Sequence, residues 1–220
     1  MKEALYARAG DTGFTRSNTL LGKLIRYGET DKGEQEPTWA NHTFVVVEDG
    51  WIGAVPESFR EFDGGVELPL TQAVVIEALW KTRKGDLKLN GTEVRVFRPV
   101  PAYDEHELAR FVAEAETFVG DKYGWWKLGF QLADKVLFRG KKVLTTALHI
   151  KGRPICSFLA GFVNQMAQGK ERTLARVTAH LDRGDNGAAI YAFGMPPQAA
   201  DPDEMMDYAL ANPTEWQEVK

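Results

Sequence analysis

Arg153-Pro154-Ile155-Cys156-Ser157-Phe158-Leu159-Ala160-Gly161-Phe162-Val163 holds the only cysteine in the chain. Pro154 suits helix entry, so a helix is expected to begin at Cys156 and to end near Gly169. The first N–H groups of a helix lack intrahelical partners, and the macrodipole adds roughly half a positive charge there. Both effects favour thiolate over thiol, so a cysteine at this place is a candidate nucleophile. The alternative is a small buried hydrophobe, the ordinary fate of a lone cysteine.

A nucleophilic thiol needs a base, and the base needs an orienting polar group. The chain offers four histidines. His106 falls in the first turn of an expected amphipathic helix and reads as solvated. His180, among Arg172, Arg176 and Arg183, reads as a surface residue, and the run from Lys170 through Arg176 as a solvated helix face. His149 lies close to Cys156 in sequence. His42 follows Asn41 and opens the β-branched run His42-Thr43-Phe44-Val45-Val46-Val47, where an imidazole has no packing role. Strand ends are also where a rigid scaffold presents functional side chains.

A second strand is expected over Ala73-Val74-Val75-Ile76-Glu77-Ala78-Leu79-Trp80. Its single carboxylate is costly to bury unless paired. If the two strands are neighbours, Glu77 can accept a hydrogen bond from His42 and fix its tautomer. Otherwise Glu77 lies on the solvent face of a half-buried strand. One Cys, one His and one Glu without close spacing make a weak metal site, so no metal and no cofactor are expected.

Composition sets the outer limits. The 220 residues are 44% hydrophobic and 26% charged, enough for one large domain with an ample core. With 27 Lys+Arg against 31 Asp+Glu, the formal charge of −4 gives no general attraction to nucleic acid or anionic membrane. A lone cysteine excludes an internal disulfide framework and a multi-cysteine zinc site. No apolar run reaches the roughly 18 residues a membrane helix needs. Met1-Lys2-Glu3-Ala4-Leu5-Tyr6 lacks a signal-peptide pattern, so cytoplasmic synthesis is the default expectation.

The remaining segments complete one α+β domain over 1–220. A short helix is expected around Thr19 to Arg26, then a charged loop from Gly28 to Pro37. Leu87 to Arg98 alternates around Asn90-Gly91, which is a hairpin signal. Asp104 to Val119 is the clearest helix: Asp104 caps, Glu107 lies three residues on, and Leu108, Phe111, Val112 and Ala115 share a face. Ala188 to Phe193 reads as a late strand. A tail follows from about 195, with a helix over Asp203 to Ala211.

Taken in order, Ala9-Gly10-Asp11, Asn41-His42-Thr43-Phe44-Val45-Val46, Val75-Ile76-Glu77-Ala78, Gly120-Asp121-Lys122-Tyr123 and Ile155-Cys156-Ser157 resemble the circularly permuted NlpC-type papain-like fold. In that branch, which includes the YiiX-like proteins and is related to lecithin retinol acyltransferase, the histidine precedes the cysteine. The resemblance implies an antiparallel sheet or small barrel packed against helices. It implies Cys156 as nucleophile, His42 as base, Glu77 as the residue orienting it, and Tyr123 and Ser157 as substrate-binding residues. The Cys156 N–H, at a helix start, is a candidate oxyanion donor.

Two places depart from the resemblance. Gly124 and Phe158 stand where acidic residues are common, and a helical insert at about 125–150 carries Trp125, Trp126, Phe130 and Phe138 as a lid, a pocket wall or plain core. The activity expected is cysteine hydrolysis of an amide or ester bond through an acyl-enzyme. The substrate would be a small peptide, an amide such as cell-wall peptide, or a lipid ester. Access to a cell wall would then need lysis or a phage particle. The alternatives are an acyltransferase on the same scaffold and a non-catalytic binding or structural module.

Overall fold

The computed structural model describes residues 4–18, 23, 39–53, 55, 61–62, 66–68, 70–78, 81–87, 89, 92–122, 156–182, 190–198 and 200–220. In chain order its elements are β1 (Leu5–Ala7), β2 (Thr12–Arg16), β3 (His42–Glu48), β4 (Gly50–Ile52), β5 (Glu61–Phe62), β6 (Val66–Glu67), β7 (Val74–Ala78), β8 (Thr82–Asp86) and β9 (Glu93–Pro99). Then come α1 (Glu105–Thr117), α2 (Cys156–Ala167), α3 (Lys170–Asp182), α4 (Pro202–Ala211) and β10 (Trp216–Glu218).

The chain is α+β, with antiparallel sheets packed against helices. The main sheet has six strands in the order β10-β9-β2-β3-β7-β8, while β1 pairs β4 and β5 pairs β6. β3 sits inside the sheet and is buried on both faces, which is why it reads as an unbroken apolar run. Val45, Val47, Ile76 and Ala78 face a core shared with Cys156, Leu159, Ala160 and Val163 of α2 and with Phe111 and Ala115 of α1. Phe44, Val46 and Val75 face the other layer, closed by Ala7, Ile52 and Val96.

One residue in β2 has to be glycine for the sheet to close. The Phe44 ring lies over Gly13, and a Cβ on Gly13 would stand 1.9 Å from its Cζ.

The helix boundaries follow their caps. Asp104 Oδ1 accepts the Glu107 N–H at 2.7 Å and Glu107 returns a bond to the Asp104 N–H, giving the expected capping box for α1. Asp201 caps α4 through the Glu204 N–H at 2.8 Å, with Pro202 as its first residue. After α4 the expected tail returns to the sheet, where β10 pairs β9.

Three expectations are corrected. The strands on either side of Asn90-Gly91 do not pair with each other: β9 pairs β2 and β10, whereas β8 pairs β7 at the opposite edge, although the Thr92 N–H donates to the Leu89 carbonyl. Long-range pairing, not the local turn, chooses the strand partners. The late strand is absent over 190–194, where the chain turns and Gly194 adopts φ +68°. The Phe193 ring stacks on Trp216 instead, at 4.3 Å between centroids.

The third correction concerns α3, which is inside out with respect to its sequence. Arg176 and His180 are buried, while Leu174 and Leu181 are 67% and 61% exposed. Arg176 Nε donates to Glu215 Oε2 at 2.9 Å, His180 Nε2 meets Glu215 Oε1 at 2.6 Å, and the Tyr208 hydroxyl donates to Glu215 Oε2 at 2.9 Å. Arg172 is likewise engaged, with Nη2 donating to Glu107 Oε2 at 2.5 Å. The basic residues spaced four apart on α3 therefore turn inward, towards buried carboxylates on Glu107 and Glu215. His106 is exposed, as expected. The expected helix at 19–26 and the insert at about 125–150 lie outside the described residues, as does His149.

Candidate active site

Register brings the site together. Phe44 stands directly opposite Glu77 across β3 and β7, so His42, two residues earlier on the same face, is diagonal to Glu77. Diagonal neighbours lie about 7–8 Å apart at the backbone, within reach of two long polar side chains. His42 Nε2 meets Glu77 Oε2 at 2.9 Å. The carboxylate is 3% exposed, so Glu77 is not on a solvent face.

The other end of the imidazole faces the thiol. Cys156 is the first residue of α2 and is buried where that helix packs on β3. Its side chain lies beside His42, and the nearby imidazole and the backbone N–H groups of Thr43 and Ser157 all favour the thiolate. With Nε2 engaged by Glu77, Nδ1 is the nitrogen left for the thiol. Sulfur, imidazole and carboxylate form one continuous chain.

The electrostatics follow from that chain. Burial alone would keep the Cys156 thiol protonated, but His42 and the two N–H donors prevail and hold its pKa below the ordinary thiol value. Burial also works against a charged His42, but the Cys156 thiolate and the Glu77 carboxylate push its pKa well above the usual imidazole value. Glu77 is held below the ordinary carboxylate value: burial opposes its charge, while His42 and then Arg83 stabilise it. Sulfur and imidazole titrate as a pair, and the state between their two transitions is thiolate–imidazolium.

The strand that carries His42 is fixed at its entrance. Asn41 Nδ2 donates to the Ser17 carbonyl at 3.0 Å and its Oδ1 accepts the Ser17 N–H at 3.2 Å. Asp203 Oδ1 accepts the N–H groups of Trp39 and Ala40 at 2.8 and 3.0 Å. The start of β3 is thereby tied to the first turn of α4.

Two expected substrate contacts stand differently. The Ser157 side chain is fully buried and its hydroxyl donates to the Ala200 carbonyl at 2.8 Å, so it anchors the segment before α4 and does not line the site. Tyr123 lies outside the described residues. The residue that sequence reasoning missed is Arg83, whose Nε donates to Glu77 Oε1 at 2.8 Å and whose Nη2 donates to the same oxygen. Thr82-Arg83-Lys84 reads as a solvated edge in isolation. Only the β7–β8 register, with Glu77 opposite Arg83, reveals the pair.

Among the described residues, no group of three or more His, Cys, Asp and Glu side chains could hold a metal ion. No helix among them is long and apolar enough to cross a membrane. The chain matches no protein-family model, no curated protein and no solved structure.

Proposed function

We propose that this protein is a cysteine hydrolase of the permuted papain-like kind, cleaving an amide or ester bond through a covalent acyl-enzyme. The observation that carries the reading is one imidazole, His42, held by the buried Glu77 carboxylate at 2.9 Å with the Cys156 side chain beside it. A cysteine that served only as core would have no need of a histidine partner backed by a buried carboxylate.

The chemistry follows the resting ion pair. The Cys156 thiolate attacks the carbonyl carbon, forming a C–S bond and a tetrahedral oxyanion. In this reading the Cys156 N–H, at the start of α2, donates to that oxygen. Imidazolium His42 gives its proton to the leaving nitrogen or oxygen as the C–N or C–O bond breaks, which leaves a thioester and a neutral imidazole. His42 then takes a proton from water, hydroxide adds to the thioester, and the C–S bond breaks to release the acid. Thiolate and imidazolium are restored. Glu77 holds one tautomer and stabilises the imidazolium throughout.

The experiment is the pH dependence of Cys156 alkylation, followed by mass spectrometry, in wild type and His42→Ala. Labelling well below the ordinary thiol pKa of about 8.5 that is lost in His42→Ala supports the pair. Labelling that rises only near pH 8 and ignores His42 makes Cys156 a core residue. With an ester or amide panel, added acceptor amines separate hydrolysis from acyl transfer.

A further inference from the structure

We infer that Arg83 is a positioning residue of this site, fixing the Glu77 carboxylate through Oε1 so that Oε2 is presented to His42. The inference rests on the thiolate–imidazolium reading above and extends it to a fourth member. Arg83 places two N–H donors on Oε1, and His42 alone meets Oε2. Each carboxylate oxygen has its own cation, so rotation of the carboxylate is arrested from the side away from the sulfur. A guanidinium fork suits this task, because it constrains the plane of the group it binds as well as supplying charge.

The charge order along the chain explains why the fourth member is needed. Sulfur, imidazole, carboxylate and guanidinium alternate in sign. Without Arg83, one imidazolium would face two buried anions, and burial would return a proton to Glu77. A neutral Glu77 stabilises the imidazolium less and the thiolate less in turn. Among the described residues no other cation substitutes. Of the elements packed against β7, β3 brings His42 and the exposed Glu48, and α2 brings Cys156. β8 brings Arg83, Lys84 and Asp86, and Lys81 lies just before it. Lys84 stands opposite Ile76 on the other face and is engaged by Glu116 at 2.8 Å and Glu48 at 3.2 Å. Asp86 lies opposite Val74, at the far end of the strand pair.

Arg83 is 39% exposed on an edge strand, so its substitution leaves the core intact. The test is the pH profile of Cys156 alkylation in wild type, Arg83→Gln, Arg83→Lys, Glu77→Gln and the double variant Arg83→Gln/Glu77→Gln, with thermal midpoints alongside. Arg83→Gln is expected to move the inflection up by about one unit, so that labelling at a pH well below the wild-type inflection slows about tenfold. Arg83→Lys restores most of the rate, and Arg83→Gln adds nothing once Glu77 is already Gln.

A purely structural Arg83 would lower the thermal midpoint and leave the profile in place. An Arg83→Gln profile equal to wild type, or an additive double variant, overturns the inference while the thiolate reading stands. An ordinary thiol profile in the wild type overturns the function proposed above, and the inference with it.

Discussion

The Glu77 carboxylate reaches the His42 imidazole, at 2.9 Å, only because Phe44 stands directly opposite Glu77 in the β3–β7 ladder. A slip of one residue would turn Glu77 to the helix-side core. Glu77→Gln keeps the shape and a hydrogen-bonding group but removes the charge that steadies imidazolium. The apparent pKa of the Cys156 thiol should rise by about one to two units, as expected for losing an opposite charge within about 4–6 Å of the ring. Alkylation rates between pH 5 and 9 check this. An unmoved profile means that the carboxylate charge plays no part in activating the thiol.

Gly13→Ala should disturb the site without touching any of its polar groups. The added Cβ would meet the Phe44 ring at 1.9 Å, and that ring cannot move without shifting the strand pair that sets His42 against Glu77. Overpacking of this kind costs about 1–3 kcal/mol, readable as a lower urea midpoint. Phe44→Leu in the Gly13→Ala background should recover part of the loss, because the smaller side chain vacates the space. If the pair proves simply additive, the clash is not the cause.

How far this architecture was legible in the chain depended on the range of the signal. The capping box at Asp104 and Glu107, the strand opened by His42 and the helix opened by Cys156 all rest on neighbours within a few residues, and all three were readable. The link from His42 to Glu77 could be stated only conditionally, since it required adjacent strands. Arg83 was invisible for the same reason: its role exists only in the β7–β8 register.

The errors share a cause. Arg176 and His180 look like a solvated basic face until Glu215, 35 residues beyond His180, arrives beneath them. The Asn90-Gly91 signal was local and could not reveal that β9 pairs β2 and not β8.

The Glu215 cluster supplies a control for the candidate site. Glu215→Ala leaves the buried Arg176 and His180 without their shared carboxylate and should cost about 3–5 kcal/mol. Tyr208→Phe removes only a hydroxyl and should cost about 1 kcal/mol. Chemical unfolding measures both. Neither variant should move the Cys156 alkylation profile of the folded protein, because the cluster joins α3, α4 and β10 and makes no hydrogen bond to His42 or Glu77. A shifted profile in Tyr208→Phe would falsify that separation.

Acid should weaken the fold through Glu107 in a defined window. Burial alone would raise this carboxyl, but the Arg172 guanidinium and the Gly169 N–H draw it down to about 2, from an ordinary value of 4.5. A carboxylate with a depressed folded pKa contributes stability that is complete above about 4.5 and is lost as pH falls towards 2. Glu77 and Glu215 are held low as well and act in the same direction. Asp11 acts in the opposite one: burial raises its pKa despite the Arg98 fork, so it favours folding as pH falls. Total acid sensitivity therefore mixes signs, and comparison with Glu107→Gln isolates one group. At pH 6 the variant should be less stable by about 2 kcal/mol, the worth of hydrogen bonds to a charged partner. Urea midpoints at pH 6, 4 and 3 should show that gap narrowing steadily. A gap that stays constant across the three would mean that Glu107 is not ionised against Arg172 in the folded chain.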